Sequence, residues 1–141
     1  MGMKQILVMM VVVVLVGCSN DTQKAAPDPA DEKLITNPIV EKAIRERYKK
    51  PAGELTKADL EKVTHVKLQN TQITDAGLKE VAKLQQLERL YLDETQITYK
   101  GLKELAKMQR LTQLDLSGTQ VTKAGVAELK KALPNCYIEG P

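Results

Sequence analysis

Thr71-Gln72-Ile73-Thr74-Asp75-Ala76-Gly77-Leu78 recurs 24 residues later as Thr95-Gln96-Ile97-Thr98-Tyr99-Lys100-Gly101-Leu102, and again as Thr119-Gln120-Val121-Thr122-Lys123-Ala124-Gly125-Val126. A phrase repeated at a fixed period of this length marks a solenoid, in which each unit buries its apolar face by stacking on its neighbour. Working outward, Leu87, Leu90, Leu92, Thr95 and Ile97 precede or open the second copy. Their equivalents are Leu111, Leu114, Leu116, Thr119 and Val121 one period on, and Val63, Val66, Leu68, Thr71 and Ile73 one period back.

This pattern, over roughly residues 63–138, resembles the leucine-rich repeat family, whose units read L-x-x-L-x-L-x-x-N/C-x-L. The resemblance implies an α/β fold: a short right-handed β/α superhelix with about four parallel strands. Where the family usually has Asn, this chain has Thr71, Thr95 and Thr119. A threonine hydroxyl offers one donor and two acceptor lone pairs, fewer bonds than an amide, so the loop after each strand is expected to be held less tightly. The Thr-bearing unit of 24 residues with its Ile-Thr-x-x-Gly-Leu continuation looks like the bacterial variety of the family.

The second half of each unit is expected to be helical. Leu78, Val81, Ala82 and Leu102, Leu105, Ala106 fall at i, i+3, i+4, and Thr74, Thr98 and Thr122 stand at the N-cap position. Val126 and Leu129 continue the stripe in the third unit, but Lys130 replaces the alanine, giving the last helix the polar flank of a terminal unit. Gly77, Gly101 and Gly125 in the first helical turns imply either a positive φ or a close backbone approach. Ile138 keeps register with Leu114 and predicts a final strand at Cys136, Tyr137 and Ile138.

Upstream, Asn37-Pro38 reads as a cap followed by proline in the first turn, opening a helix with an apolar stripe of Val40, Ala43, Ile44 and Tyr48 that Pro51 and Gly53 stop. Thr56 with Asp59 reads as a capping box for a second short helix carrying Leu60. Residues 34–62 are thus an N-terminal helical cap on repeats running over 63–141.

The first residues are of another kind. Lys4 precedes an apolar run from Ile6 to Val16, shorter than the roughly 17–25 residues a membrane span needs, so residues 1–17 read as a signal peptide. Met3 followed by Lys4 gives the usual charged opening. The sequence Leu15-Val16-Gly17-Cys18 resembles the bacterial lipobox, which implies cleavage before Cys18, acylation of that cysteine with palmitate-type chains, and an envelope protein attached to the membrane through its N-terminal lipid. The other reading of Cys18 is a thiol closing an uncleaved anchor. Two or three acyl chains hold far better than one, because each buried methylene contributes about 0.8 kcal/mol. Ser19 rather than Asp at the next position implies the outer membrane where a cell has two. Residues 18–33, rich in Asn, Asp, Thr, Gln, Ala and Pro, then read as the lipidated cysteine and a flexible linker spanning roughly 20–25 Å, on the periplasmic or extracellular side.

Composition fits one domain of about 108 residues with an aliphatic core, since the chain has no Phe or Trp and four Tyr. Removing residues 1–17 takes away Lys4 alone and leaves 20 basic against 18 acidic side chains, a balance that argues against nucleic-acid binding. His65 is the single histidine, so a metal site of histidines is excluded, and no phosphate-cradling glycine loop is present. In the repeat register His65 lies two strands from Asp115 and Ser117, on the order of 10 Å, too far for a catalytic triad. No catalysis, metal or small-molecule cofactor is expected. Cys136 reads either as a small buried residue of the last repeat or as an intermolecular disulfide or reactive thiol.

Alternation along the strands turns three rows outward: His65, Arg89, Gln113, Tyr137; Lys67, Tyr91, Asp115, Glu139; and Gln69, Asp93, Ser117. The family resemblance implies that this concave face binds a protein partner, with Arg89 and Tyr91 at its centre, the residue types enriched at hot spots. The competing reading is a solvated face held by neighbouring pairs, Tyr91 with Asp115 or Arg89 with Asp93. An alternative function is structural, with the cluster Arg45, Arg47, Lys49 and Lys50 meeting cell-wall glycan or anionic lipid head groups.

Overall fold

The computed structural model describes residues 33–141. The signal peptide at 1–17, the acylation site Cys18 and all of the linker but Lys33 lie outside the described residues. Elements follow in the order α1 Pro38–Tyr48, α2 Lys57–Leu60, β1 His65–Lys67, α3 Asp75–Val81, β2 Arg89–Tyr91, α4 Tyr99–Leu105, β3 Gln113–Asp115, α5 Lys123–Ala132 and β4 Tyr137–Glu139. The strands form one parallel sheet in the order β1-β2-β3-β4. Each returns to the sheet through a helix, the connection that parallel strands require.

Register follows the 24-residue period. Val66, Leu90, Leu114 and Ile138 are successive partners across the sheet, as are His65, Arg89, Gln113 and Tyr137. The core is a stack of aliphatic rows in which Val66, Leu68, Leu90, Leu92, Leu114 and Leu116 are fully buried against Leu78, Leu105 and Leu129 of the helices. Every side chain of this core falls between Ile35 and Ile138, within a compact unit running Glu32–Pro141.

The turn that leaves each strand is built by a device the repeat motif does not spell out. Asn70, Glu94 and Gly118 occupy equivalent places one period apart, and all three are left-handed, with φ of 54°, 56° and 66°. Next to them the hydroxyls of Thr71, Thr95 and Thr119 each donate to the carbonyl three residues back, Leu68, Leu92 and Leu116, at 2.6 Å. Each threonine thus closes its own turn. A left-handed residue with a Cβ costs roughly 1–2 kcal/mol, which Gly avoids and Asn partly evades. Glu94→Gly is therefore expected to raise stability by about 0.5–1 kcal/mol and Gly118→Ala to lower it by about 1 kcal/mol, read from urea unfolding midpoints. Equal midpoints for both variants would refute this account of the turn.

The glycines of the helices serve close approach. A Cβ on Gly77 would sit 2.6 Å from Ile73 Cγ1, and one on Gly101 would sit 2.7 Å from Leu78 Cδ1. Neither has a positive φ. Of the three expected caps, Thr98 and Thr122 accept from backbone N–H of Lys100 and Gly125, whereas Thr74 makes no capping bond.

The two helices expected over residues 34–62 form, with three differences. Asn37 Oδ1 accepts from the N–H of Ile39 and Val40 ahead of α1, and Thr56 and Asp59 form a reciprocal capping box. The helix ends at Lys49 in the left-handed region, before Pro51 is reached. Tyr48 does not share the full burial of Val40 and Ile44: it is 36% exposed, and its hydroxyl accepts from Thr64 N–H at 2.8 Å, tying α1 to the start of β1. Two of the four cations ending α1 are used internally. Arg45 pairs with Glu41 and donates to the carbonyls of Lys50 and Gly53, and Lys50 pairs with Asp59.

These pairs make the cap acid-sensitive. Lys50 first, then Thr56, holds the Asp59 carboxyl far below the usual range, and Lys33 with Arg45 lowers Glu41. A carboxylate depressed on folding stabilises above its unfolded value of about 4 and loses that contribution as pH falls through its folded value. The urea midpoint is expected to drop below about pH 4, with a shallower drop in Asp59→Asn. An unchanged slope in that variant would show the pair to be irrelevant to folding.

Candidate partner-binding face

Strand alternation places one side chain of each strand in the core and its two neighbours on the opposite side of the sheet. Leu90 is fully buried, while Arg89 is exposed and Tyr91 half-buried. The structure brings together on this side all eight residues expected there. His65 and Lys67 come from β1, Arg89 and Tyr91 from β2, Gln113 and Asp115 from β3, and Tyr137 from β4, with Asp93 just past β2. Asp93 keeps ladder register, since its carbonyl accepts from Asn70 N–H at 3.0 Å.

The middle row carries a charge gradient, running Lys67, Tyr91, Asp115, Glu139 across successive strands. Tyr137 is 68% exposed, well above the other large apolar or aromatic side chains of the described residues. The face is not held by its own charges. Among the described residues, ion pairs join Lys33, Lys42, Arg45, Lys50, Lys83, Lys107 and Arg110 to carboxylates elsewhere, and none involves Lys67, Arg89, Asp93, Asp115 or Glu139. Neither the Tyr91–Asp115 nor the Arg89–Asp93 pair is formed. Asp115 instead accepts from Ser117 N–H at 3.0 Å, and His65 Nδ1 lies 2.7 Å from Thr64 Oγ1. Gln69, at the head of the third row, has a buried amide oxygen with no hydrogen-bond partner. Among the described residues no group of His, Cys, Asp or Glu side chains is arranged to hold a metal ion.

Cys136 is buried behind this face, and burial pushes its thiol up from the ordinary range. That favours the unreactive reading, because the thiolate is the nucleophile.

Parallel strands in 24-residue register, alternating with short helices over one aliphatic core, define a leucine-rich repeat solenoid. Comparison with known proteins agrees. The family model described as Leucine Rich repeat matches residues 60–82 and 107–130. Internalin C2 of Listeria monocytogenes is similar in structure, with a TM-score of 0.53 at 23% identity over 75% of this chain and 54% of that one. A leucine-rich repeat protein of Leptospira interrogans matches 43% of this chain and 15% of its own at 28% identity, with a TM-score of 0.37. This chain thus spans about half the length of the first and a small part of the second. No curated protein matches it significantly.

Proposed function

We propose that this protein is a membrane-anchored leucine-rich repeat module that binds a protein partner in the bacterial cell envelope through the outward face of its sheet. The observation that carries the reading is the set of unspent groups there: Lys67, Arg89, Tyr91, Asp93, Asp115 and Glu139 share one side of a rigid sheet without pairing among themselves. Charged and aromatic side chains without internal partners on a preorganised backbone can contact a partner without first breaking an internal pair, though each long side chain still costs about 0.5–1.5 kcal/mol to order. Leucine-rich repeat proteins are in general interaction modules, and the reading is non-catalytic. Anchoring is supported by the lipobox-like Leu15-Val16-Gly17-Cys18.

The face has limits. Four strands spaced about 4.8 Å apart and some 17 Å long present roughly 300–350 Å², against about 800 Å² per partner in a standard interface. Binding through the sheet alone is therefore weak or transient. The envelope-structural alternative loses ground because Arg45 and Lys50 already have internal partners, leaving Arg47 and Lys49 as the free cations of that cluster among the described residues.

Crosslinking the native lipoprotein in its envelope tests the proposal. One defined protein should be captured and should be lost with Tyr91→Ala and Arg89→Ala. Capture unaffected by either variant, or sedimentation with wall material alone, would overturn it.

A further inference from the structure

The charge gradient across the sheet fits one partner in particular. We infer that the outward face self-associates, pairing with a second copy of this chain about a two-fold axis parallel to the strands. The inference rests on the reading of this face as a binding surface and names an occupant for it.

The geometry follows from the register. A two-fold axis lying between two facing sheets and running along the strands sets β1 of one copy over β4 of the other, and β2 over β3. Rows stay in register because the operation does not shift residues along the strands. Lys67 then faces Glu139 of the second copy, and Tyr91 faces Asp115 of the second copy, each contact occurring twice as an isologous interface demands. In the neighbouring row His65 faces Tyr137 of the second copy and Arg89 faces Gln113 of the second copy, so no like charges meet. The other two-fold in this plane, perpendicular to the strands, lays β1 on β1 and β4 on β4. That arrangement gathers Lys67 with the cationic end of the second copy and Glu139 with its acidic end, and is disfavoured.

The complementary groups are free to make these contacts, since none of Lys67, Tyr91 and Glu139 is engaged by another side chain among the described residues. Asp115 gives one oxygen to Ser117 N–H and keeps acceptor capacity on the other. The small area makes the association weak, and the charged contacts make it sensitive to salt.

Sedimentation equilibrium of the full chain in density-matched detergent decides the matter. At low salt the average mass should climb toward that of a dimer as concentration approaches about 1 mM. Lys67→Glu sets two carboxylates opposite each other at both ends of the interface and should weaken association roughly tenfold or more. Adding Glu139→Lys to that variant restores opposite charges and should restore association, and circular dichroism will show that each variant is folded. A monomer at every concentration would overturn the inference, as would Lys67→Glu associating like the parent or the charge swap failing to rescue. If the parent stays monomeric while envelope crosslinking still captures a protein lost with Tyr91→Ala, self-association falls and the binding face stands. If self-association follows the predicted charge pattern and the only envelope crosslink lost with the alanine variants is that to a second copy, the second copy is the partner of the face and a separate protein partner falls.

Discussion

Leu90→Ala is expected to destabilise the fold by about 3–4 kcal/mol, the largest effect of any single truncation we anticipate. Leu90 is fully buried in the second strand, between Val66 and Leu114 in the row that runs through the whole stack. Truncation leaves a cavity with repeats on both sides, so neither neighbour can close it without breaking strand register. A domain of this size has roughly 5–15 kcal/mol in total, and the loss is a large fraction of it. Ile138 occupies the same row at the end of the stack and is slightly more exposed, with one neighbour rather than two. Ile138→Ala should cost about 2 kcal/mol. Urea unfolding of both variants measures the difference. A cost for Leu90→Ala no greater than that for Ile138→Ala would mean that the row is not continuous.

Asp75→Ala is expected to cost about 2–3 kcal/mol. The carboxylate at the start of α3 accepts from Thr98 N–H at 2.9 Å and from Thr98 Oγ1 at 2.6 Å, locking the first turn of α3 to the first turn of α4. Hydrogen bonds to a charged acceptor contribute about 1.5–3 kcal/mol each before solvent screening, and the negative charge also complements the N-terminus of α4. Asp75→Asn keeps one acceptor and should cost about half as much. A double-mutant cycle with Thr98→Ala isolates the contact, since Asp75→Ala should cost little once Thr98 is gone. Additive effects would show that Asp75 acts through something other than Thr98. The next interface lacks this contact because Tyr99 stands in the place of Asp75. There the tyrosine hydroxyl donates to Glu128 at 2.7 Å, which raises the Tyr99 pKa, while Lys103 lies over its ring. α3 and α4 are therefore joined by a charged clasp, and α4 and α5 by an exposed one.

Much of this protein is legible along the chain because a repeat states each structural decision three times. The row Val66, Leu90, Leu114, Ile138 and the outward positions Arg89 and Tyr91 follow from the period and from strand alternation alone. The caps at Asn37 and Thr56 were equally readable, being local bonds between near neighbours. The left-handed turn was half written: Asn70 and Gly118 tolerate positive φ, but Glu94 between them hides the pattern. The Asp75 clasp could not be read, because it breaks the repeat. Asp75, Tyr99 and Lys123 share one position and have unlike chemistry, so only their neighbours in space assign them partners.

What the sequence determined by itself is the stack: its period, its strand register and the side of the sheet on which each residue emerges. These follow from apolar spacing, since one shifted position would expose a whole row of leucine to water. Only the tertiary structure decided how polar groups are spent. It commits Arg45, Lys50 and Asp75 to internal partners, it makes Gly77 and Gly101 points of close contact rather than of unusual φ, and it leaves Lys67, Arg89, Asp115 and Glu139 without an ion-pair partner among the described residues. Such choices depend on distances of a few ångströms between residues far apart in the chain, and a hydrogen bond, unlike burial, is won or lost within that range.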